Sequence, residues 1–476
     1  LLSAAFLEAL DWATDTRTSD GWLIYSLPIA GLIVGASYHY LGRGLKRGSN
    51  LLIDEIHSHS EWVPFRIAPL VFMTSVISHL AGGSTGREGA ALQIAAGATD
   101  PISKRLGLNP GDRSLMLITA IAGGFGSIAG VPIAGAVFAL EVQRVGRIRY
   151  EALVPAFVAS FVGHAVVRGL GVNYTEYPQI ANVNWSPTIA WQISLFGLVA
   201  GLIALTFVRL THFIRGLMKK YVAWYPARPL IGGIILLVVI TACGWRDYQG
   251  FSFPLMLSAM NGATSGHFEV KLLLTAITIG TGFVGGEVIP LLTTGALAGA
   301  TFGSLVGGNI AVFAIVGSVA VLAGATNTPL ACALIGIELF GGGGAILFAV
   351  ACVAAYATSG HTGIYHAQKV SAHKSGEVTS YASMRWRLPN ARPNVTSSAN
   401  SISPPTGRPL AKRDTSTPTG DNKRAKYIAV MSPSVLLLVH TTTSEISSGL
   451  MRVNNSRTLR CSGFTPCSGS NRPSST

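Results

Sequence analysis

The stretch Pro132-Ile-Ala-Gly-Ala-Val-Phe-Ala-Leu-Glu141 recurs later in the chain as Pro329-Leu-Ala-Cys-Ala-Leu-Ile-Gly-Ile-Glu338. Upstream, Glu88 stands 44 residues before the first proline and Glu287 stands 42 residues before the second, each in a glycine-rich loop. Each half is therefore predicted to contain a loop, a helix, and a second break that enters another helix. Repeats of broken helices place a substrate site at their interface, near the bilayer midplane. The repeat predicts a transporter or channel; the alternative is chance similarity between apolar helices.

The composition is that of a membrane protein. Hydrophobic residues make up 49% of the chain and charged residues only 12%, whereas soluble domains usually carry about a quarter charged residues. Apolar runs lie at 22–38, 115–140, 191–210, 229–243, 310–322 and 345–357. A membrane span takes roughly 20 apolar residues, so several of these runs are short. Short segments interrupted by glycine are typical of discontinuous helices. We therefore predict an all-α polytopic membrane protein.

Basic charge is concentrated at the C-terminal end. From Lys374 to Thr476 there are 14 Lys and Arg against 4 Asp and Glu, out of a net charge of +14 for the chain. This Ser/Thr/Pro-rich tail cannot bury enough apolar surface to offset its ordering entropy, so we expect disorder and not a nucleic-acid-binding domain. The predicted organisation is a transmembrane domain at 1–370, with halves at about 20–185 and 186–370, followed by a tail at 371–476. The chain begins at Leu1, which leaves open whether its natural start is included.

The first glycine-rich loop has the properties of an anion site. Gly82-Gly83-Ser84-Thr85-Gly86-Arg87-Glu88-Gly89 precedes the apolar run Ala90–Ala98, so the loop is predicted to open a helix. The first N–H groups of a helix lack internal partners, and the helix dipole adds positive charge there. Gly280–Gly286 repeats the arrangement in the second half. Two such N-termini directed at one point attract an anion without a buried Lys. Alternatively, the glycines only permit close helix packing.

Glu88 is the candidate gating residue. A carboxylate inside the bilayer is costly and usually marks an ion or proton pathway. At the start of a helix it can occupy the anion's own site when ionised and leave it when protonated, which couples proton uptake to anion exchange. The alternative is a structural pair with Arg87. Glu141 and Glu338 end their helical runs, where boundary or capping roles are expected rather than transport.

These residues carry a family resemblance. Gly86-Arg87-Glu88-Gly89, followed by Ala91-Leu-Gln93, resembles the gating-glutamate motif of CLC channels and exchangers. The resemblance extends from about Leu23 to Gln368. It implies a CLC-type inverted repeat of broken, tilted transmembrane helices, with the Pro132 and Pro329 segments as matching helices of the two halves. It also implies a homodimer with one pore per subunit, and a role for Tyr365 as the central tyrosine that contacts the innermost anion.

The second-half loop resembles the fluoride/proton-exchanging branch. Chloride-type members generally carry an aliphatic-aromatic pair before the proline, whereas this chain has Gly285-Gly286-Glu287-Val288-Ile289-Pro290. The stretches Gly324–Ala331 and Gly336–Phe340 also look fluoride-type. Chloride/proton exchangers often have a second glutamate after the position of Glu141, as an internal proton relay. Val142 stands there in this chain.

Two positions depart from the fluoride pattern. Ser49 stands where fluoride relatives commonly have methionine, so its hydroxyl could contact the ion as in chloride members. Ile289 stands just before the second-half proline, where fluoride relatives tend to have a threonine. The hydroxyl of that threonine can hold the gating glutamate after it has swung out of the site. Asn50 or Thr328 could supply that donor; otherwise the coupling differs. Whether Glu287 titrates or only forms hydrogen bonds stays open.

The predicted function is export of fluoride in exchange for protons, in a multi-pass protein of the plasma membrane. The partners expected are fluoride or chloride, protons, the lipid bilayer and a second copy of the chain, with no nucleic acid, cofactor or metal. Besides Glu88 as the gate, the predicted anion-binding residues are Ser49, Asn50, Gly86, Arg87, Gly89, Gly285, Gly286, Glu287, Val288, Ile289 and Tyr365. Alternatives are a chloride channel or chloride/proton exchanger, and a transport-dead membrane scaffold. An enzyme is disfavoured because no P-loop Lys-Ser/Thr follows the glycines.

Overall fold

The computed structural model describes residues 1–42, 48–180, 183, 186–264, 266–371 and 374. The α-helices are α1 Leu2–Ser19, α2 Leu27–Tyr40, α3 Ser49–Ser58, α4 Ile67–Leu80, α5 Glu88–Arg105, α6 Pro110–Ala129, α7 Pro132–Glu141, α8 Leu153–Gly169, α9 Pro187–Tyr221, α10 Ala227–Cys243, α11 Phe253–Met260, α12 Phe268–Thr281, α13 Val288–Leu305, α14 Ile310–Thr326, α15 Pro329–Phe340 and α16 Ala345–Thr358. Short 3₁₀ turns lie at Gly21–Ser26, Tyr150–Ala152, Arg246–Tyr248 and Gly342–Gly344. The helical prediction is confirmed. The predicted tail at 371–476 lies outside the described residues, apart from Ser371 and Lys374.

The two halves repeat the same local pattern. Helix α5 begins at its glutamate and α13 begins directly after one, and each has 18 residues. Each is followed by a long helix and then by a short one that begins at the repeated proline. The breaks have a local cause. Gly130 (φ 75°) follows α6 and Asn327 (φ 57°) follows α14, and a proline then occupies the first helical position, where its missing N–H has no effect on helical hydrogen bonding.

Helices α7 and α15 cap each other. The Glu141 carboxylate at the end of α7 accepts hydrogen bonds from the first turn of α15, including the Ala331 N–H at 2.9 Å. The Glu338 carboxylate at the end of α15 accepts hydrogen bonds from the first turn of α7, including the Ala134 N–H at 2.7 Å. The two helices are therefore antiparallel. Each carboxylate satisfies backbone groups that a helix start leaves unpaired, which fits the capping interpretation of both residues.

Four helical stretches in the described part of the chain are long and apolar enough to cross a membrane: Gly21–Tyr40, Tyr150–Gly169, Pro187–Tyr221 and Val288–Leu305. Other apolar helices are shorter. Helices α7 and α15 have 10 and 12 residues, which at about 1.5 Å per residue is well below the bilayer thickness. The protein is therefore built from a mixture of spanning and broken helices.

One small parallel ladder interrupts the helical pattern. Strand β1, Arg144–Val145, pairs with strand β2, Lys369–Val370. It follows α7 directly, and it fixes the segment that carries Tyr365 beside the C-terminal end of that helix. This pairing was not predictable from the sequence, because two-residue strands are too short for a periodic pattern.

Candidate functional site

The two glycine-rich loops meet at Gly86 and Gly286. The N–H of each residue donates to the carbonyl oxygen of the other, with N···O distances of 2.5 and 2.6 Å. A Cβ atom on Gly286 would lie 2.7 Å from the backbone nitrogen of Gly89 and 2.9 Å from that of Glu88. Glycine is therefore required for this approach. The pairing brings the N-terminal ends of α5 and α13 together, where unpaired N–H groups and both helix dipoles favour an anion.

Glu88 lies at this junction as the first residue of α5, with only 2% of its surface exposed. The Arg87 backbone N–H faces Glu88 Oε2 at 3.3 Å. The Arg87 guanidinium is less tightly engaged, because its Nε lies 3.7 Å from Glu88 Oε1. That guanidinium packs against the rings of Phe251 and Phe253, at 5.7 and 5.9 Å from their centroids. The ion pair between Arg87 and Glu88, which is the structural alternative to a gating role for Glu88, is thus present, but its N···O distance is long.

Glu287 approaches the same helix start from the second repeat. It precedes α13 directly, is 7% exposed, and its Oε2 lies 3.1 Å from the position that a Cβ on Gly89 would occupy. Its other oxygen, Oε1, and the Tyr365 hydroxyl are buried without a hydrogen-bond partner among the described residues, although the two side chains are close enough to interact. In the described part of the chain these two polar atoms are therefore buried without the hydrogen bonds that usually offset burial.

Ser49 contacts the first turn of α5. It begins α3 after Gly48, whose φ is 56°. The Ser49 hydroxyl donates to the Gly89 carbonyl at 3.3 Å, and the side-chain amide of Gln93 donates to Gly89 O at 3.1 Å and to Ser49 Oγ at 3.4 Å. Gln93 Oε1 is buried without a partner in the described chain. Gln93 was given no role from the sequence, although an amide on an otherwise apolar helix face was a usable signal.

The remaining predicted residues lie either at the start of α13 and in its loop, or away from Glu88 in contacts of their own. Val288 and Ile289 form the first turn of α13, and both line a narrow cavity at Glu88. Gly285 packs against Thr85, which holds the second loop to the first. Asn50 and Thr328 were suggested as donors to a swung Glu88. In this structure the Asn50 amide oxygen accepts the Ala367 N–H at 3.0 Å, and Thr328 pairs with the Thr326 hydroxyl at 2.6 Å.

Residues 30–360 match the family model for the voltage gated chloride channel. The chain belongs to the CLC family. A "Chloride/fluoride channel protein" of Pseudomonas syringae pv. tomato is 40% identical over 382 residues, which cover 78% of this chain and 84% of that protein. An "H(+)/Cl(-) exchange transporter ClcA" of Yersinia pseudotuberculosis is 24% identical and covers 71% of this chain and 77% of that protein.

A solved structure supports the same placement. The crystal structure of a CLC-type fluoride/proton antiporter superposes with a TM-score of 0.75 and is 29% identical. The match covers 78% of this chain and 94% of that one. The family resemblance and the CLC-type membrane fold predicted from the sequence are therefore confirmed. The protein is an integral membrane member of a family of anion transport proteins.

Proposed function

We propose that this CLC protein exports fluoride in exchange for protons. The observation that carries the proposal is the position of Glu287 against the first turn of α5, across the Gly86–Gly286 pair from Glu88. Two carboxyl groups at one anion site suit a small anion that accepts short, strong hydrogen bonds. A relative described as a chloride/fluoride channel protein and a structural neighbour described as a fluoride/proton antiporter support the same choice.

The exchange follows from competition at the helix N-termini. Ionised Glu88 is itself an anion and occupies the region of unpaired N–H groups at the start of α5. When the carboxyl group is protonated it loses that attraction and can leave, so that fluoride takes its place. Fluoride then lies near the Tyr365 hydroxyl, which can donate a hydrogen bond to it, and near Glu287, which can donate one only when its carboxyl group is protonated. Glu88 next releases its proton to the side of the membrane opposite to the one from which it was taken up. Return of the ionised carboxylate expels the anion, so that each cycle moves one proton against one fluoride ion.

The proton route in this proposal shares the anion path. Val142 occupies the position after Glu141 where chloride/proton exchangers often carry a second glutamate, and it is fully buried. A valine cannot relay a proton. Glu141 itself is engaged in capping α15. Of the three buried glutamates Glu88, Glu141 and Glu287, the first and the last are therefore available for proton transfer.

A chloride channel or chloride/proton exchanger is the second candidate, and Ser49 is the observation that favours it. Its hydroxyl lies against Gly89 at the anion site, where it could donate to a larger halide.

The deciding experiment is efflux from proteoliposomes loaded with fluoride or chloride, with internal pH recorded. We expect fluoride efflux well above chloride efflux, with proton uptake. Equal or greater chloride flux would assign the protein to the chloride branch, and absence of both fluxes would favour the scaffold.

We also propose that the protein functions as a homodimer in the plasma membrane, as the family resemblance implies. Of the four long apolar stretches, Tyr150–Gly169 is the most exposed. Only 22% of its apolar part is buried, whereas 78% of Val288–Leu305 is buried. Exposed Val154, Val158 and Val162 recur along α8 at helical spacing. Chemical crosslinking in mild detergent tests the assembly. A species of one chain at all protein concentrations would contradict it.

A further inference from the structure

An extended segment links the two repeats above the Glu88 cavity. We name Val172–Ile180 the strap. Its Tyr174 hydroxyl donates to the Ser127 carbonyl near the end of α6 at 2.8 Å, and its Ile180 N–H donates to the Phe340 carbonyl at the end of α15 at 2.7 Å. The strap is therefore anchored to a helix of each repeat. Between the two anchors it carries Tyr177 into the cavity wall.

The cavity beneath the strap leads to the gate. Arg87, Glu88 and Tyr177 line it, together with apolar side chains from both repeats. Among these lining side chains, only Arg87 and Tyr177 carry hydrogen-bond donors. Arg87 is 4% exposed, and its Nε has no hydrogen-bond partner within the described part of the chain. An anion that loses hydration in an otherwise apolar cavity requires such donors.

The cavity and the β1–β2 ladder lie at opposite ends of α7. Val131, directly before α7, lines the cavity. Beyond the other end of α7, strand β1 pairs with Lys369, four residues after Tyr365. Ten residues of helix separate these ends by about 15 Å. The strap therefore lies on the side of Glu88 that is away from the β1–β2 ladder.

We propose that Tyr177 and Arg87 form a halide-binding site at the strap side of the pathway, where the anion is held before it exchanges with the Glu88 carboxylate. Its donors are the Tyr177 hydroxyl and the Arg87 Nε–H, which forms a long ion pair with Glu88 but no hydrogen bond among the described residues. The ring of Tyr177 narrows the entrance. This inference rests on the proposed anion exchange, but not on which halide is carried. It extends the binding residues beyond the helix N-termini, to a segment that the sequence motifs do not include.

Thiol labelling tests whether anions pass Tyr177. In a background with Cys243, Cys461 and Cys467 replaced by Ser, Tyr177→Cys is treated with a membrane-impermeant methanethiosulfonate reagent in proteoliposomes. We expect labelling to stop halide flux through the molecules whose strap faces the reagent. We also expect added halide to slow the labelling reaction. Glu176→Cys, at the exposed neighbouring position on the strap, should be labelled with flux unchanged. Labelling of Tyr177→Cys without loss of flux, or failure to label it, would overturn the proposal.

A second variant tests the hydroxyl separately. Tyr177→Phe keeps the ring that packs edge-on against Phe340, so the fold should be retained. We expect the half-saturating halide concentration from the strap side to rise at least threefold, with the maximal rate nearly unchanged. An unchanged half-saturation would remove Tyr177 as a ligand. If the wild-type protein carries no halide, the proposed function fails, and protection of Tyr177→Cys by halide still tests the binding site by itself.

Discussion

Glu88 and Glu287 lie on either side of one pair of hydrogen-bonded glycines, the first as the opening residue of α5 and the second directly before α13. The two carboxyl groups come from equivalent places in the two repeats. Their surroundings nevertheless differ, because Glu88 has Arg87 beside it and Glu287 faces Tyr365. In the proposed exchange this difference suits different roles, with Glu88 as the moving gate and Glu287 as a fixed part of the anion site.

Replacement of Glu88 by Gln should abolish proton coupling. Gln has the shape of Glu but cannot ionise, so it neither competes with the anion nor carries a proton. We expect fluoride flux to be blocked rather than uncoupled. The measurement is fluoride-driven proton uptake in proteoliposomes. Glu141→Gln is the matched control and should keep the coupling, because that residue caps α15. Wild-type proton uptake by Glu88→Gln would make Glu287 the next candidate carrier.

Gly286→Ala should disrupt the junction of the two loops. The added methyl group would lie 2.7 Å from the Gly89 nitrogen, and overpacking of this kind costs about 1–3 kcal/mol. We expect at least a tenfold loss of fluoride flux and a lower melting temperature in detergent. Gly216→Ala on α9 is the control, since nothing lies within 4 Å of its added Cβ. Normal transport by Gly286→Ala would mean that the close approach is not needed for function.

Replacement of Ser49 by Met should lower chloride flux more than fluoride flux. The substitution removes the hydroxyl that contacts Gly89 and Gln93, and therefore a donor that a larger halide could use. The ratio of fluoride to chloride efflux should rise several-fold. Ser58→Met, at the exposed end of the same helix, controls for effects on α3. An unchanged ratio would show that the Ser49 hydroxyl does not contribute to selectivity.

Asp100→Asn should lower the thermal stability of the protein without changing its ion selectivity. The Arg113 guanidinium binds Asp100 through two hydrogen bonds of 2.7 and 2.8 Å, and its Nη1 lies 3.3 Å from Glu55. Breaking a buried ion pair from one side costs about 3–5 kcal/mol, because the remaining charge loses its partner. Thermal unfolding in detergent measures the loss. Glu151→Gln, in an exposed pair with Arg149 at 3.5 Å, should change stability little.

Truncation after Lys374 should leave transport and dimerisation intact, because the tail beyond it has no segment predicted to fold alone. Lys374 itself should be retained. Its ammonium group donates to Asn327 Oδ1 at 2.7 Å and to the carbonyls of Tyr356 and Gly360 at 2.5 Å each. Truncation after Ser371 should therefore lower the melting temperature relative to truncation after Lys374. Equal stability of the two variants would contradict this role, and loss of flux in both would show that the tail contributes to transport.

The sequence predicted the helices of the site well, because glycine loops, prolines and repeated glutamates mark where helices begin. The capping role of Glu141 and Glu338 was also predictable from their positions at helix ends. Their cross-repeat partners were not, since a helix end does not indicate its neighbour. Tyr177 was missed for a similar reason. It lies in an extended segment without a motif, and only the path of the chain brings it to Glu88.

The reciprocal capping of α7 and α15 has a consequence for membrane insertion. When the ribosome has released only the first half of the chain, the opening turn of α7 has no Glu338 to accept its N–H groups. Unpaired backbone groups are costly in hydrocarbon. We therefore expect the short helix α7 to stay at the translocon, or in a hydrated intermediate, and to enter the hydrocarbon only after α15 has been synthesised. A nascent chain arrested before Pro329 should expose α7 to proteases that cannot reach it in the finished protein.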